Sequence, residues 1–407
     1  AVAVPVHVST PTLVRAALQG RTHARFSVDV AGIEEIGKAA PPERPMLHDA
    51  ALIVFTSGTT GEPKGVVIGH TRLAGKLGVL ARLLQPRADD IVLVPLQLTF
   101  IFGIWVSLLT IAAGARLVLL PKFSVDAIHG AIKDGATAAA FVPTMLRAWV
   151  SEERKLARAP RLVMTGGEPL GAALGRSIAE KFPSADIYDL YGLTETGSCD
   201  FFLRASDGEG LGTIGTPTEH VAFRIVAPGE DSTDAMIGGE LQIRTPYGML
   251  GYLDDPSLTT GAFADGFFRT GDLARLRPDE RVELVGRSKD IISRAGQKIA
   301  PLEVDNVFAE HPEVMAALSA GIADAAVGER LHVVVVRRPG SRLSETDLRA
   351  WAAARIERFK LPDAIHFCDA LPVGRTGKAD RAAVAGIAAE AQRSAVASPN
   401  FRPLACL

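Results

Sequence analysis

At 407 residues the chain exceeds what one hydrophobic core usually serves, so two or more domains are expected. Hydrophobic residues make up 47% and charged residues 22%, a soluble globular composition, and a formal net charge of −2 excludes the electrostatic footprint of a nucleic-acid or anionic-membrane binder. The three cysteines, Cys199, Cys368 and Cys406, are widely spaced without CxxC or other metal-type spacing, which fits a reducing cytosol and a cytoplasmic location.

In chain order, the start Ala1-Val-Ala-Val-Pro-Val-His-Val lacks the basic n-region of a signal peptide. A helix is expected near Thr10–Leu18, then a proline-rich stretch Pro41–Pro45. The apolar strand Ala51-Leu-Ile-Val-Phe55 opens into Thr56-Ser57-Gly58-Thr59-Thr60-Gly61-Glu62-Pro63-Lys64-Gly65. Glycines let backbone N–H groups converge, hydroxyls add donors and lysine supplies a cation, so polyphosphate is the anion this loop fits best. It is not a Walker A loop, because Gly58 to Lys64 reads G-x-x-G-x-x-K.

Residues Ile91–Ala115 form 25 uncharged positions of membrane-span length, yet Pro95, Gln97, Thr99, Gly103 and Gly114 interrupt them. The better division is a strand Ile91–Pro95, a core helix Phe102–Ala113 and a strand Arg116–Pro121. A helix from Ala131 and a strand Ala138–Val142 follow, and this alternation predicts a mainly parallel α/β sheet. Gly210-Leu-Gly-Thr-Ile-Gly215 satisfies G-x-G-x-x-G, but no strand feeds it and Thr216-Pro217 prevents a helix from opening there. Val221–Val226 and Gly239–Arg244 alternate apolar with polar, which predicts antiparallel strands in a small distorted β-barrel. Beyond Lys289 a small α+β unit is expected: helix Leu302–Glu310, strands Met315–Ile322 and Leu331–Arg337, helix Glu345–Arg358. The stretch after Ala382 is alanine-rich and helical in character, fraying beyond Ser398.

The phosphate-loop string resembles the signature of the adenylate-forming superfamily, AMP-dependent acyl/aryl-CoA synthetase type. Further motifs follow in the family's order: Tyr191-Gly-Leu-Thr-Glu-Thr-Gly197, Thr270-Gly-Asp272, Gly286–Glu303 and Leu371-Pro-Val-Gly-Arg-Thr-Gly-Lys378. Smaller matches lie at Phe141–Met145, Gly166-Gly-Glu-Pro-Leu170 and Phe359–Pro362, so the resemblance runs from about Leu52 to Arg381. It implies an adenylation domain over 1–288, a mobile C-terminal domain over 289–385 carrying a catalytic lysine, and a tail over 386–407. Only 54 residues precede Phe55, so the N-terminal section is shorter than usual for the family. A naturally compact variant and a shortened domain are the alternatives, which bears on how the acid pocket closes and whether a partner completes the sheet.

By resemblance, Thr56, Ser57, Gly58, Thr59, Thr60 and Lys64 would cradle the β- and γ-phosphates of ATP. Gly166, Gly167, Glu168, Asp189, Tyr191 and Gly192 would line the nucleotide, Thr194 would reach the α-phosphate and Glu195 would hold Mg²⁺. Asp272 and Arg287 would fix the ribose and phosphate side, Lys378 would bridge carboxylate and α-phosphate, and Lys289 would be the hinge. Phe100 stands where relatives often carry a histidine, and with Phe102, Gly103, Ser107, Met164, Ser198 and Cys199 it makes the candidate acid pocket. None of these is a cation, which favours a neutral acid, small aromatic or short-to-medium aliphatic, over a dicarboxylate.

The activity implied is ATP-dependent acyl-adenylate formation, then thioester formation with coenzyme A. The alternatives are loading of a carrier-protein phosphopantetheine and, third, a catalytically silent nucleotide-binding relative. The oligomeric state is left open, a homodimer included.

Overall fold

The computed structural model describes residues 2–7, 9–29, 31–37, 42–56, 63–152, 158–227, 238–374 and 378–397, with side chains up to 391. Its centre is a seven-stranded sheet. Five strands run parallel in the spatial order Arg116–Leu119, Ile91–Val94, Ala138–Phe141, Leu162–Gly166 and Asp186–Tyr191. Phe201–Arg204 and Thr216–Pro217 continue it antiparallel. The inner strands are apolar at nearly every position because both faces are covered. Val92, Val94, Ala138, Ala140, Leu162 and Met164 pack on one face, against the helices His70–Leu84 and Ile101–Ala112. Leu93, Ala139, Phe141 and Val163 pack on the other, with Ile128, Trp149 and Ile178 from the helices Val125–Lys133, Pro143–Val150 and Ala172–Lys181. Each fully buried Leu, Ile or Val contributes about 1.5–3 kcal/mol relative to exposure.

The apolar run before the phosphate loop is the strand Ala50–Thr56, paired antiparallel with Lys64–Gly69. The second antiparallel unit has five strands, Ala222–Val226, Gly239–Arg244, Phe263–Ala264, Phe267–Leu276 and Val282–Arg287, distorted by bulges at Glu240/Gln242 and Leu273/Ala274. A last five-stranded sheet is built on Val314–Asp324 and Gly328–Arg337, with its own core around Phe308, Val333 and Leu348. The helix Ala382–Ala397 crosses position 385 and buries Val384 and Ala388.

Two local readings are corrected. The helix before Ala138 does not begin at Ala131; it spans Val125–Lys133. The Ser124 hydroxyl caps it by accepting from Ala127 N, and Ile128 and Ile132 supply the buried stripe. The helix from Glu345 ends at Ala353 instead of Arg358, and Arg358–Lys360 forms a separate turn. Arg294 holds that turn by donating to the carbonyls of Phe359 and Leu361 and to the Asp363 carboxylate. The strand Ala364–Cys368, parallel to Gly328–Arg337, has no strong alternation and was not foreseen. Among the described residues no helix is long and apolar enough to cross a membrane; the uncharged stretch divides into a strand and a 12-residue helix. Gly210, Gly212 and Gly215 all have positive φ and lead into the short strand Thr216–Pro217, not a helix. The fraying foreseen beyond Ser398 lies outside the described residues.

Candidate active site

In a parallel α/β sheet, ligands bind at the carboxyl ends of the strands. Four such ends lie here: Val94 leading to Phe100, Phe141 to Thr144, Gly166 to Glu168, and Tyr191 to Glu195. The singled-out segments Gly166–Leu170 and Tyr191–Gly197 therefore emerge on one rim of the sheet.

The hairpin that carries the phosphate loop closes through the facing pair Thr56 and Lys64. Ser57, Gly58, Thr59 and Thr60 lie outside the described residues. Lys64 Nζ stands 5.6 Å from the centroid of the Tyr252 ring, and the Tyr252 hydroxyl donates to Glu195 Oε1 at 3.1 Å. Burial raises the Glu195 pKa, opposed by the Tyr252 hydrogen bond and by Lys64. Glu195 and Thr194 share a short turn whose Glu195 carbonyl accepts from Met249 N at 2.7 Å, tying the motif to the segment before Tyr252. Gly192 is required sterically, because a Cβ there would lie 2.3 Å from Cys199 N.

A second cluster is centred on Asp272. It is only 4% exposed, with Tyr191 Oη donating to Oδ2 and Arg287 Nε to Oδ1, both at 2.7 Å. Each oxygen keeps a further lone-pair direction for a hydroxyl donor. Burial, reinforced by the Asp272 charge, pushes the Tyr191 phenol well above its ordinary range.

Lys378 completes the site from the C-terminal sheet's side. A Cβ on Gly167, whose φ is +85°, would lie 3.2 Å from Lys378 Nζ, so the end of the lysine packs directly on the glycine. Burial lowers the Lys378 pKa; Glu168 opposes this and Arg287 adds to it, so the electrostatics couple the lysine to both motifs. Glu168, expected beside nucleotide, has both carboxylate oxygens engaged by protein. Thr144 N and Oγ1 donate to Oε2 at 3.0 and 2.8 Å, and Ala379 N donates to Oε1 at 2.7 Å. Gly166 packs so closely that a Cβ would lie 2.4 Å from the Leu190 carbonyl. Asp189 is 7% exposed, and burial pushes its carboxyl up to about 8. It faces a small cleft lined by Pro169, Ile214, Leu284, Leu302 and Asn306. Lys289 is exposed in the turn Ser288–Asp290 between the sheet ending at Arg287 and the one beginning at Ile292.

The candidate pocket residues separate into two groups. Phe100 is the residue before the helix Ile101–Ala112 and is half-buried, as is Phe102, whose ring lies 5.3 Å from that of Trp105. Gly103 is forced by the Gln97 carbonyl, 2.7 Å from where a Cβ would stand. Met164 and Cys199 belong to the buried core, and burial pushes the Cys199 thiol up to about 12. The Ser107 hydroxyl donates to its own helix at the Gly103 carbonyl. Ser198 and Cys199 both have positive φ, 67° and 51°, an uncommon conformation for residues with a side chain.

The supports of that turn escaped sequence reasoning. Trp105 Nε1 donates to Ser198 Oγ at 3.3 Å, and Lys76 Nζ donates to the Cys199 carbonyl at 3.2 Å and to Asp200 Oδ1 at 3.1 Å. Lys76 and Asp200 are 1% and 0% exposed. Lys76 reads in sequence as a solvated helix lysine; the only signal is its place on a helix whose other positions bury Val79 and Leu80. The lysine is neutralised by Asp200 and adds no free cation.

Among the described residues no group of three or more His, Cys, Asp or Glu is placed to hold a metal ion. Glu195, beside Lys64 and Tyr252, offers a hard carboxylate oxygen of the kind Mg²⁺ takes when substrate phosphates and water supply its other ligands.

The model of the AMP-binding enzyme family matches residues 3–253, and that of the AMP-binding enzyme C-terminal domain matches 303–378. The chain is similar to 4-coumarate–CoA ligase 2 of Oryza sativa subsp. japonica, 31% identical over 347 residues, covering 81% of this chain and 61% of that protein. It is similar to feruloyl-CoA synthase of an Amycolatopsis species, 31% identical over 346 residues, covering 83% of this chain and 70% of that protein. In structure it is similar to o-succinylbenzoate CoA synthetase from Bacillus subtilis in complex with its acyl-adenylate intermediate: TM-score 0.77, 27% identity, covering 94% of this chain and 82% of that one. The chain thus spans about three fifths of the rice relative's length (61%). It belongs to the AMP-binding enzyme family.

Proposed function

We propose that the protein activates a neutral carboxylic acid with ATP and passes the acyl group to coenzyme A, as an AMP-forming acid–thiol ligase. The observation that carries this reading is Lys378 standing against Gly167, coupled to Arg287 and so to the Asp272–Tyr191 cluster.

A carboxylate is a poor acyl donor because oxide is a poor leaving group. Its oxygen attacks the α-phosphorus of ATP, the bond to the bridging oxygen breaks, and pyrophosphate leaves with the electron pair. The thiolate then attacks the acyl carbon and AMP departs. Charge spread over phosphate oxygens needs preorganised donors and cations. Lys378 meets carboxylate and α-phosphate, Thr194 donates to the α-phosphate, and Thr56 and Lys64 with Ser57, Gly58, Thr59 and Thr60 hold the outer phosphates. Asp272 accepts from the ribose hydroxyls, Arg287 stands on the phosphate side, and Gly166, Gly167, Asp189, Tyr191 and Gly192 flank the base. Glu195 would hold Mg²⁺, which would supply charge neutralisation on the phosphates. Residues 289–385 act as the mobile domain about Lys289, with 1–288 as the adenylation domain and 386–407 as a tail.

The acid pocket is read as lined by Phe100, Phe102, Gly103 and Ser198, with Met164 and Cys199 behind it, and the acids for which the two sequence relatives are named, coumarate and ferulate, are aromatic. Together these favour a small aromatic acid within the neutral class. Transfer to a carrier-protein phosphopantetheine is the second reading, since both thiols share the pantetheine arm. The test is a panel of acids with ATP and Mg²⁺, scored for AMP release with and without coenzyme A. AMP release that requires both a neutral acid and coenzyme A supports the proposal; none with any acid overturns it. The location proposed is the cytoplasm.

A further inference from the structure

We infer that Glu168 is a latch that holds the Lys378 loop against the large sheet, and that it is a positioning residue for the lysine. The inference rests on the proposed adenylation for its kinetic arm and on geometry alone for its labelling arm.

Glu168 follows Gly167 at the carboxyl end of the strand Leu162–Gly166. One oxygen, Oε2, is fixed from within the same rim by the backbone and hydroxyl of Thr144, the second residue of the helix Pro143–Val150. The other, Oε1, reaches across and accepts from Ala379 N, the amide adjoining Lys378. The separation in sequence is 211 positions, so this is a contact of the folded chain and not of a local turn. The Thr144 bonds leave the carboxylate with one orientation. A charged acceptor held in one rotamer makes the stronger type of hydrogen bond, at 2.7 Å here. Because the amide and the ammonium belong to adjacent residues, seating the amide fixes the stretch of backbone from which Nζ reaches Gly167.

The far side of the loop is anchored separately. Arg381 donates to the Asp305 carboxylate and to the Ser319 carbonyl, and Asp305 also accepts from Ser319 N and Oγ. Those partners lie on the helix Pro301–Ala309 and the strand Val314–Asp324, so the Arg381 end travels with the C-terminal sheet. Of the two attachments, the one at Ala379 breaks when the C-terminal sheet moves away and the one at Arg381 does not. A bond of that kind biases the equilibrium toward the pose in which the lysine is seated.

The experiment compares amine acetylation, read by mass spectrometry, at Lys378 and at the exposed Lys122 in four proteins: unmutated, Glu168→Asp, Glu168→Gln and Thr144→Val. Glu168→Asp keeps the charge and retracts the carboxylate, so a change at Lys378 reports release and not altered basicity. Expected is about a tenfold faster modification of Lys378 in both Glu168 variants and a smaller rise in Thr144→Val, with Lys122 unchanged. Pyrophosphate release from acid and ATP should slow about tenfold in the same order, while thioester formation from supplied acyl-adenylate persists. Unchanged Lys378 modification in both Glu168 variants overturns the latch, as does equal slowing of the two half-reactions. Should Glu168 variants misfold, the buried Lys76 is acetylated along with Lys378, and Thr144→Val then decides. If the unmutated protein adenylates no acid, the proposed function fails while the labelling comparison still tests the latch.

Discussion

Arg287 and Asp272 face each other across adjacent antiparallel strands, with Arg287 Nε 2.7 Å from Asp272 Oδ1. The same carboxylate takes the Tyr191 hydroxyl on its other oxygen, so one buried anion joins the rim of the parallel sheet to the antiparallel unit. Asp272→Asn turns an amide N–H₂ toward one of two donors and leaves it unsatisfied. The variant is expected to lose about 2–3 kcal/mol of stability by urea unfolding and to raise the KM for ATP. An unchanged KM for ATP would remove Asp272 from the nucleotide site.

Lys378 makes a claim about steps and about pH. Lys378→Ala should weaken adenylation by about 3–4 kcal/mol, the cost of one preorganised donor to developing charge, while thioester formation from supplied acyl-adenylate continues. Burial lowers the lysine's pKa, so its cation is lost at a lower pH than for a solvated lysine. The alkaline limb of kcat/KM for adenylation should therefore fall below the ordinary lysine range of about 10.4 and vanish in the residual activity of the alanine variant. A limb retained in Lys378→Ala would assign it to another group.

Asp189 links pH to stability with a definite sign. Its folded pKa, about 8, lies above that of an unfolded aspartate. Between those values the folded state holds the extra proton, so stability is fully present at low pH and is lost as pH rises from about 4 to about 8. The slope is up to about 1.4 kcal/mol per pH unit within that window. Asp189→Asn should flatten the profile and be the more stable protein at pH 9, read from urea midpoints. Parallel profiles for the two proteins would show that Asp189 ionises normally.

The parts legible in sequence were those fixed by local rules. Ala138–Phe141 is apolar throughout because both faces of the sheet are covered, and glycines at 167, 192 and 197 stand where backbone or a lysine approaches. The motifs located Asp272 and Lys378 but not their partners. That Tyr191, not only Arg287, serves Asp272, and that Glu168 is taken up by Thr144 and Ala379, are consequences of tertiary placement. Lys76 was illegible for a physical reason: an isolated lysine on an amphipathic helix costs nothing in solvent, and its burial follows only once Asp200 is known to face it.

The turn Ser288–Asp290 joins the two sheets, and Lys289 is exposed there. Lys289→Pro fixes φ at the position taken as the hinge. Acyl-adenylate should still form, with thioester production falling steeply, as measured by single-turnover assays of each step. Normal coenzyme A turnover in the proline variant would place the pivot elsewhere.

The buried pair Lys76–Asp200 tests whether the positive-φ turn Ser198–Cys199, beneath the candidate pocket, depends on charge. Lys76 holds the Cys199 carbonyl as well as Asp200, while Asp200 also accepts from the Thr196 hydroxyl, so the pair braces both ends of the Ser198–Cys199 turn. Burial already raises the Asp200 pKa against the pull of Lys76. Lys76→Met leaves the carboxylate without its counter-charge and should cost about 3–5 kcal/mol in urea unfolding. The carboxyl then takes up a proton more readily, so the deficit of Lys76→Met should shrink at acid pH and be largest at neutral pH. Lys76→Met combined with Asp200→Leu removes both charges and should recover most of that loss, because a neutral pair of similar bulk avoids the desolvation of two ions. Recovery of stability without recovery of acid selectivity would show that the pair shapes the pocket through the Cys199 carbonyl. A Lys76→Met protein as stable as the unmutated one at neutral pH would mean that Asp200 is protonated there and that the pair is not ionic.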